Sequence, residues 1–399
     1  MKGKFNLTKK LKFIIGIVVI FIIAIILTPK IYFNYVGFKL EKELFKSSSI
    51  IDINDLEFRG LSLMDSDLYE NEIFFAGENH GSVKSREMNM YLLKYFVEKG
   101  NIKYILYEGG YCTGELLNNY LETGDENILS FIQDAFSGTS VYTMEHYNLL
   151  KHIYNYNLTL SEDKKLKFVG VDIEHQPNVA IRYIRSLIPD KEINDEEVRE
   201  FIDILKSIPK QNYNNILVDA IEIMNKNQEA IRVYFGEKFF NISLAIRNLS
   251  ISNSQQVREK YIISNFIEQY EYLPKGKWFG QFGGFHTQQE GAYDVDGYKP
   301  FASYLDNEYE NTKGKVISIQ YDYLNGKVYN PGGGDPYPAS NIISPNFYQD
   351  DEKTRLVKLN YEGSMFNKKD MWLNDVPQTD YFQYIIMFNN SEAANKYYR

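Results

Sequence analysis

The sequence is poor in cysteine and lacks the short motifs of several enzyme classes. Cys112 is the only cysteine, so no disulfide can form within the chain, and no Cys-x-x-Cys or Cys/His zinc spacing is present. No Gly-x-Ser-x-Gly segment occurs, which argues against the nucleophile elbow of a serine hydrolase. No His-Glu-x-x-His segment occurs either, so a common zinc-protease pattern is missing. A lone cysteine after an apolar segment is typical of a small buried side chain.

A concentrated basic charge is also absent. The 399 residues include 44 Lys and Arg against 53 Asp and Glu, which gives a formal net charge of −9. Nucleic-acid binding needs a basic face that neutralises phosphates, so we predict no nucleic-acid partner. Apolar residues make up 44% of the chain, which is enough for a sizeable core.

One long apolar run is present, near the N-terminus. Residues 13–28 carry no charge, and five lysines precede them. The positive-inside rule then predicts a membrane anchor over residues 1–33, a cell-membrane location, and an extracytoplasmic position for the rest of the chain. A cleaved signal peptide is the alternative. Residues 34–70 are interpreted as a stalk, and residues 71–399 as an α/β domain with a helical insertion at about 190–273.

Short apolar segments alternate with helix-like segments from residue 71 onward. The strand-like segments are 72–76, 103–107, 167–171, 277–282, 315–322 and 381–388. Such alternation predicts β-α-β units with right-handed crossovers. The expected fold is therefore a three-layer α/β/α domain with a mainly parallel central sheet, preceded by one transmembrane helix. Residues 325–380 are rich in Gly, Pro, Asn and Tyr and are interpreted as loops.

Ionisable residues follow the predicted strands at the point where each strand ends. Ligands of open parallel sheets bind beyond the carboxyl ends of the strands, so we expect these residues to line one site. A His beside carboxylates has a raised pKa and a fixed tautomer and can act as a general base toward water. The residues are Glu78 and His80 in AGENHG, Glu108 in YEGG, Asp172, Glu174 and His175 in VDIEH, and His286 in GGFHT. They predict a site in which His80 activates water and Glu108, on the adjacent strand, orients it.

Two other interpretations of these residues stay open. Each polar residue, taken singly, is typical of a loop start that makes turn hydrogen bonds. The second interpretation is a metal site built from His80, His175, His286 and carboxylates, although no fixed ligand spacing supports it. His146 and His152 lie six residues apart on a predicted helix and face different sides, so we interpret both as structural.

The set of motifs resembles the erythromycin esterase-like family, which belongs to a wider group with ChaN-type haem-binding proteins and Tiki-type metalloproteases. The resemblance runs from about Glu72 to Phe388. AGENHG is similar to the opening motif of the family, YEGG to its second-strand glutamate, and FVGVDIE to its third strand. The segment that contains Arg258 and Asn265 resembles the family's helix before the strand that leads to His286.

The resemblance implies a three-layer fold with a helical insertion, and hydrolysis of an ester by water without a covalent intermediate. It implies that His80 is the general base and that Glu78 and Glu108 support it. His286 and Arg258 would help to stabilise the developing oxyanion. The residues predicted to bind substrate are Arg258, Arg86, Asp172 and His175. The predicted partner is an ester or another small molecule, and no cofactor is expected, with a metal ion as the alternative.

The chain departs from the family pattern at several positions. Asn89 stands where the family usually has an arginine on the first helix, and Arg86, one turn earlier, is the substitute. Gly283 stands where the family usually has the first of two histidines. The substrate therefore stays open. Two alternatives remain, a metal-dependent hydrolase or peptidase of the Tiki type, and a haem- or ligand-binding module that catalyses nothing.

Overall fold

A sheet of eight strands forms the centre of the computed structural model, which describes residues 39, 42–251, 257–290, 299–340, 353–367 and 378–398. Its spatial order is β1-β9-β10-β6-β2-β5-β3-β4. Neighbours from β10 to β4 are parallel, whereas β9 runs antiparallel to β1 and β10. The strands, with the separate pair β7 and β8, are β1 (Ser48–Ile51), β2 (Ile73–Glu78), β3 (Ile102–Gly110), β4 (Lys167–Asp172), β5 (Lys277–Gly283), β6 (Val316–Leu324), β7 (Lys327–Val328), β8 (Tyr337–Pro338), β9 (Thr354–Lys358) and β10 (Tyr384–Asn389). The predicted α/β class with a mainly parallel sheet is confirmed.

Helices connect the parallel strands. They are α1 (Asp67–Glu70), α2 (Val83–Gly100), α3 (Tyr111–Thr123), α4 (Glu126–Ala135), α5 (Met144–Thr159), α6 (Pro177–Leu187), α7 (Glu196–Ser207), α8 (Asn214–Lys226), α9 (Gln228–Phe235), α10 (Phe239–Ser250), α11 (Arg258–Tyr272), α12 (Phe301–Asn307) and α13 (Gln378–Tyr381). Between β4 and β5 the described residues are mainly helical, from α6 to α11. Parallel neighbours require such crossover connections.

The strands bury side chains on both faces of the sheet. Along β2, Phe74 and Ala76 belong to the larger apolar cluster, which includes α2 and α3, whereas Ile73 and Phe75 pack with α11 and α12 in a second cluster. Successive strand side chains point to opposite faces, so a strand buried on both faces reads as a continuous apolar run. This is why the central strands were visible in the sequence.

The two outermost strands at one side of the sheet, β1 and β9, lie in segments that the sequence patterns assigned otherwise. β1 lies within the predicted stalk and pairs with β9. β9 itself lies within residues 325–380, so the prediction of loops is wrong for Thr354–Lys358. Only two of its five residues are buried, and a short strand of this kind gives a weak apolar signal.

The predicted membrane location is corrected by the structure. Within the described ranges, no helix is both long and apolar enough to cross a bilayer. α2, with 18 residues, is long, but its sequence VKSREMNMYLLKYFVEKG contains charges throughout, which a bilayer core would not accommodate. The predicted anchor, residues 1–33, lies outside the described residues.

Candidate active site

The carboxyl ends of four strands meet at one edge of the sheet. Glu78 at the end of β2 is in register with Gly283 at the end of β5, and Gly110 at the end of β3 is in register with Asp172 at the end of β4. The order β2-β5-β3-β4 therefore places the chemically active residues along a continuous row. Just after β2, Gly81 has a φ of +83°, which glycine adopts without strain, and the chain turns there into α2.

Glu108 lies in an irregular stretch of β3. Between Tyr107 and Gly110 the strand advances three residues while β4 advances two, from Gly170 to Asp172. One extra residue of this kind is a β-bulge, which turns a side chain away from the regular alternation. The bulge accounts for the position of the Glu108 carboxylate at the sheet edge.

His80 lies between two carboxylates. Its Nδ1 is 2.9 Å from Oε1 of Glu78, and its Nε2 is 3.5 Å from Oε2 of Glu108. The strands that carry these carboxylates are not adjacent, because β5 lies between β2 and β3, so that part of the prediction is wrong. The contact exists because Gly283, at the end of β5, has no side chain; a Cβ there would lie 3.2 Å from His80 Nε2 and 3.6 Å from Glu108 Oε1.

Four nitrogen atoms surround the Glu108 carboxylate. The backbone N–H of Gly283 donates to Oε2 at 2.7 Å, and Nη2 of Arg258 donates to Oε1 at 3.0 Å. Nε2 of His286 lies 3.4 Å from Oε1, and Nε2 of His80 lies 3.5 Å from Oε2. His80 and His286 therefore share one site, as the sequence patterns predicted, and Glu108 is its centre.

Ion pairs extend this centre in three directions. Nη2 of Arg86 lies 3.0 Å from Oε1 of Glu78, and Nδ1 of His286 contacts Glu259. Nε of Arg258 donates to Oδ1 of Asp172 at 2.9 Å, and Nε2 of His175 lies 3.2 Å from Oδ2 of that carboxylate. Every residue predicted to act in catalysis or to bind substrate belongs to this continuous network, whereas Glu174 lies beside it. The network is Arg86, Glu78, His80, Glu108, Arg258, Asp172, His175, His286 and Glu259. The side chains of His80 and Arg258 are 31% and 26% exposed, so the network opens to solvent there.

The two carboxylates favour the protonated form of His80. Burial would lower the pKa of His80, but Glu108 and Glu78 outweigh it and raise the pKa to about 10. Burial would also raise the pKa of Glu78, but Arg86 and His80 lower it to about 2. Glu108 behaves in the same way: burial opposes ionisation, and the surrounding cations hold its pKa well below the usual range. At neutral pH the resting site therefore contains an imidazolium between two carboxylates.

The outer groups are also held in charged forms. Burial opposes ionisation of Asp172, but His175 and Arg258 lower its pKa to about 2. Burial opposes protonation of His286, but Glu259 and Glu108 raise its pKa. Asp172 is fully buried, so Arg258 supplies the charge that makes its ionisation tolerable.

The chain shares this fold with known proteins. A crystal structure of a Bacillus cereus protein matches with a TM-score of 0.67 and 16% identity, over 92% of this chain and 99% of that one. A succinoglycan biosynthesis protein matches with a TM-score of 0.68 and 16% identity, over 90% of this chain and 98% of that one. An erythromycin esterase, EreC, in its open conformation matches with a TM-score of 0.57 and 15% identity, over 87% of this chain and 98% of that one.

The fold is similar to that of an erythromycin esterase. The resemblance inferred from the motifs is thus confirmed at the level of fold. No model of a known protein family matches the sequence, and no curated protein matches it.

The sequence patterns missed Glu259. Its carboxylate contacts His286, which lies 27 positions further along the chain. Glu259 follows Arg258 directly at the start of α11 and is buried. The signal available in the sequence was the position of Glu259 directly after Arg258, an arginine that faces the end of a strand. Its role depends on how α11 packs against the sheet, which periodicity does not specify.

A buried polar cluster lies beside the network. The backbone N–H of Cys112 donates to Oε1 of Glu174 at 2.7 Å, and Nδ2 of Asn248 donates to the same oxygen at 3.2 Å. Burial raises the pKa of Glu174 to about 7. Burial also raises the pKa of the Cys112 thiol, which agrees with its interpretation as a buried small residue and argues against a nucleophile.

The geometry does not favour the metal-site interpretation. Within the part of the chain that the structure describes, no three His, Cys, Asp or Glu side chains are arranged to hold a metal ion. The carboxylates of the network are instead paired with Arg86 and Arg258, whose guanidinium groups supply the positive charge. The haem-binding alternative stays a prediction from the sequence.

Proposed function

We propose that this chain hydrolyses an ester or a related carboxyl bond, with His80 as the group that activates water. The observation that carries the proposal is the convergence of His80, His286 and Arg258 on Glu108 at the open edge of a parallel sheet. Proton-transfer groups and positive charges meet there within one cleft, which ester hydrolysis by water requires. The shared fold with an erythromycin esterase supports the same reaction class.

Neutral His80 is the form that accepts a proton. The Glu78 carboxylate accepts the Nδ1–H hydrogen bond, which fixes the tautomer and leaves the Nε2 lone pair for water. The water oxygen forms a bond to the carbonyl carbon while its proton passes to Nε2. Collapse of the tetrahedral intermediate then breaks the bond to the leaving oxygen, which takes the proton from His80. The products are a carboxylic acid and an alcohol.

Arg258 and His286 lie where they can stabilise negative charge that develops on the reacting ester group. Both contact Oε1 of Glu108, and the pKa of His286 is raised. Preorganised cations next to a developing negative charge contribute strongly because they need no reorganisation during the reaction. Arg86, Asp172 and His175 are proposed to bind substrate, either directly or through the groups that they hold.

The resting protonation state sets the pH dependence. Because Glu78 and Glu108 raise the pKa of His80 to about 10, only a small fraction of His80 is neutral at pH 7. Activity should therefore rise as the pH increases toward 10. The protonated form, which dominates at neutral pH, is the form that protonates the leaving oxygen.

The test is a screen of p-nitrophenyl and lactone esters with the purified full chain, its His80→Gln variant and His152→Gln as a control. His152 is exposed on α5, outside the network, so its replacement should leave activity unchanged. His80→Gln should reduce kcat/KM by at least about 100-fold, the usual contribution of a general base. Absence of turnover by the parent, or equal activity of His80→Gln and the parent, would overturn the proposal.

A further inference from the structure

A small cavity lies behind His80, between the sheet and helices α2 and α5. It has about 60 Å³ of space for water-sized molecules, and its walls include Glu78, His80 and Glu108. A single water needs at least about 10–15 Å³ on this measure. The cavity is therefore large enough for a small chemical group, and the proton-transfer residues form one end of it.

The end next to His80 contains polar atoms without partners. Arg86 is 7% exposed; its Nη2 pairs with Oε1 of Glu78 at 3.0 Å, and its Nε has no hydrogen-bond acceptor among the described residues. Nε2 of Gln281 is likewise buried without an acceptor within the described ranges. Buried donors of this kind are normally satisfied, so a group that occupies the cavity is expected to bring an acceptor oxygen.

The deeper end of the cavity is apolar. Ile105 is in register with both Phe279 and Phe168, and all three side chains line the cavity. This row of residues is two positions before the paired residues Tyr107 and Gln281, toward the amino ends of the strands. Leu149 and Ile153 of α5 line the cavity as well. The cavity thus runs from proton-transfer groups to a floor of aliphatic and aromatic side chains.

The charges around the polar end balance. Arg86 and His80 carry positive charge, and Glu78 and Glu108 carry negative charge, in contact with one another. An additional carboxylate anion would disturb this balance, whereas a neutral carbonyl oxygen would satisfy the free donors without adding charge. His146, which also lines the cavity, is kept neutral, because burial and Arg86 lower its pKa to about 3.

On the basis of the proposed ester hydrolysis, we infer that this cavity, here called the acyl pocket, binds the short acyl group of the substrate. The carbonyl oxygen accepts from Arg86 or Gln281, and the hydrocarbon part lies against Ile105, Phe168 and Phe279. A cavity of about 150 Å³ accommodates the six carbons of benzene, so roughly two or three non-hydrogen atoms fit here. The preferred substrates are esters of short acyl groups, acetyl above propionyl, and long acyl chains are excluded.

The kinetic arm uses p-nitrophenyl acetate, propionate and hexanoate with the full chain. The value of kcat/KM should fall by at least about tenfold from propionate to hexanoate, because extra methylenes overpack the acyl pocket. Leu149→Ala removes side-chain atoms from the lining and should raise the hexanoate-to-propionate ratio by at least about tenfold. Leu117→Ala is the matched control, since Leu117 is fully buried on α3 and does not line the cavity, and it should leave the ratio unchanged.

The binding arm does not depend on turnover. Propionamide and hexanamide are neutral isosteres of the acyl group, and their binding is followed by NMR of methyl-labelled Leu and Ile side chains. Propionamide should shift the methyl signals of Leu149 and Ile153 in the parent, whereas hexanamide should shift the Ile153 signals only in Leu149→Ala. Arg86→Leu should weaken the propionamide effect by at least about fivefold, because a charged hydrogen-bond donor is lost.

The outcomes separate the acyl pocket from the proposed function. Hydrolysis without dependence on chain length, or equal ratios for Leu149→Ala and Leu117→Ala, overturns the acyl pocket and leaves the hydrolase. No hydrolysis together with size-selective amide binding overturns the hydrolase and leaves the cavity as a site for small acyl groups. Neither hydrolysis nor amide binding overturns both.

Discussion

The substitution Glu78→Gln removes a negative charge that lies between two cations. Oε1 of Glu78 is 2.9 Å from Nδ1 of His80 and 3.0 Å from Nη2 of Arg86, and the side chain is 2% exposed. Gln has the same shape and can still accept the hydrogen bond from His80. The change therefore alters the charge of the network with little change in packing.

The loss of this charge should lower the pKa of His80. An opposite charge within hydrogen-bond distance raises the pKa of a histidine by about 1–3 units, so the pKa should fall from about 10 by that amount. The positive charge of Arg86, left without its partner, acts in the same direction. Breaking a buried ion pair on one side costs about 3–5 kcal/mol, so the free energy of unfolding at pH 7 should fall by that order.

The pH dependence of stability should change as well. The pKa of folded His80 is raised above its ordinary value of 6.5, so its contribution to stability is complete below pH 6.5 and is lost as the pH rises toward 10. The pKa of folded Glu78 is lowered from 4.5 to about 2, so its contribution is present above pH 4.5 and is lost as the pH falls toward 2. Both dependences should be weaker in Glu78→Gln.

The assay is an NMR titration of the His80 ring, whose signal is assigned by its absence in His80→Gln, together with urea unfolding between pH 5 and 10. The double variant Glu78→Gln/Arg86→Gln is the control, because it removes both charges and should regain part of the lost stability. A His80 pKa in Glu78→Gln that equals or exceeds that of the parent would refute this explanation of the network.

Three further predictions concern other parts of the site. Burial raises the pKa of Glu174 from 4.5 to about 7, so its contribution to stability is lost as the pH rises through that range. Glu174→Gln should therefore be more stable than the parent by roughly 1–3 kcal/mol at pH 8 but not at pH 4. A stability difference in urea unfolding that does not vary with pH would contradict this. Gly283→Val should reduce kcat/KM by about 100-fold with little effect on the melting temperature, because a Cβ there lies 3.2 Å from His80 Nε2 and 3.7 Å from His286 Cδ2; unchanged kcat/KM would contradict it. Asn265→Leu should lower the free energy of unfolding by about 1–3 kcal/mol, because Asn265 donates at 3.0 Å to a carbonyl oxygen of β4 that would lose its partner. Leu117→Ala is the control in the same urea unfolding experiments, and a loss below about 0.5 kcal/mol for Asn265→Leu would contradict the prediction.

Much of the site could be predicted because the central strands are buried on both faces. Their apolar runs mark the strand ends, and parallel strands bring those ends to one edge, so Glu78, Glu108 and Asp172 were correctly expected to lie near one another. The shared contact of His80 and His286 with Glu108 follows from the same rule.

The order of the strands could not be predicted from periodicity. β5 enters the sheet between β2 and β3 although about 170 residues separate it from β3, and this placement depends on long-range packing. The bulge at Glu108, the role of Glu259 and the acyl pocket have the same origin, since each depends on how distant segments pack. The strand β9 escaped prediction for a different reason, because its polar, partly buried residues break the apolar pattern.

The most direct test is the pH profile of kcat/KM for p-nitrophenyl propionate between pH 6 and 10, measured with the full chain and corrected for spontaneous hydrolysis. If neutral His80 activates the water, kcat/KM rises by about tenfold per pH unit and levels off only as the pH nears 10. A flat profile, or one that falls over this range, would show that His80 is not the base of the reaction.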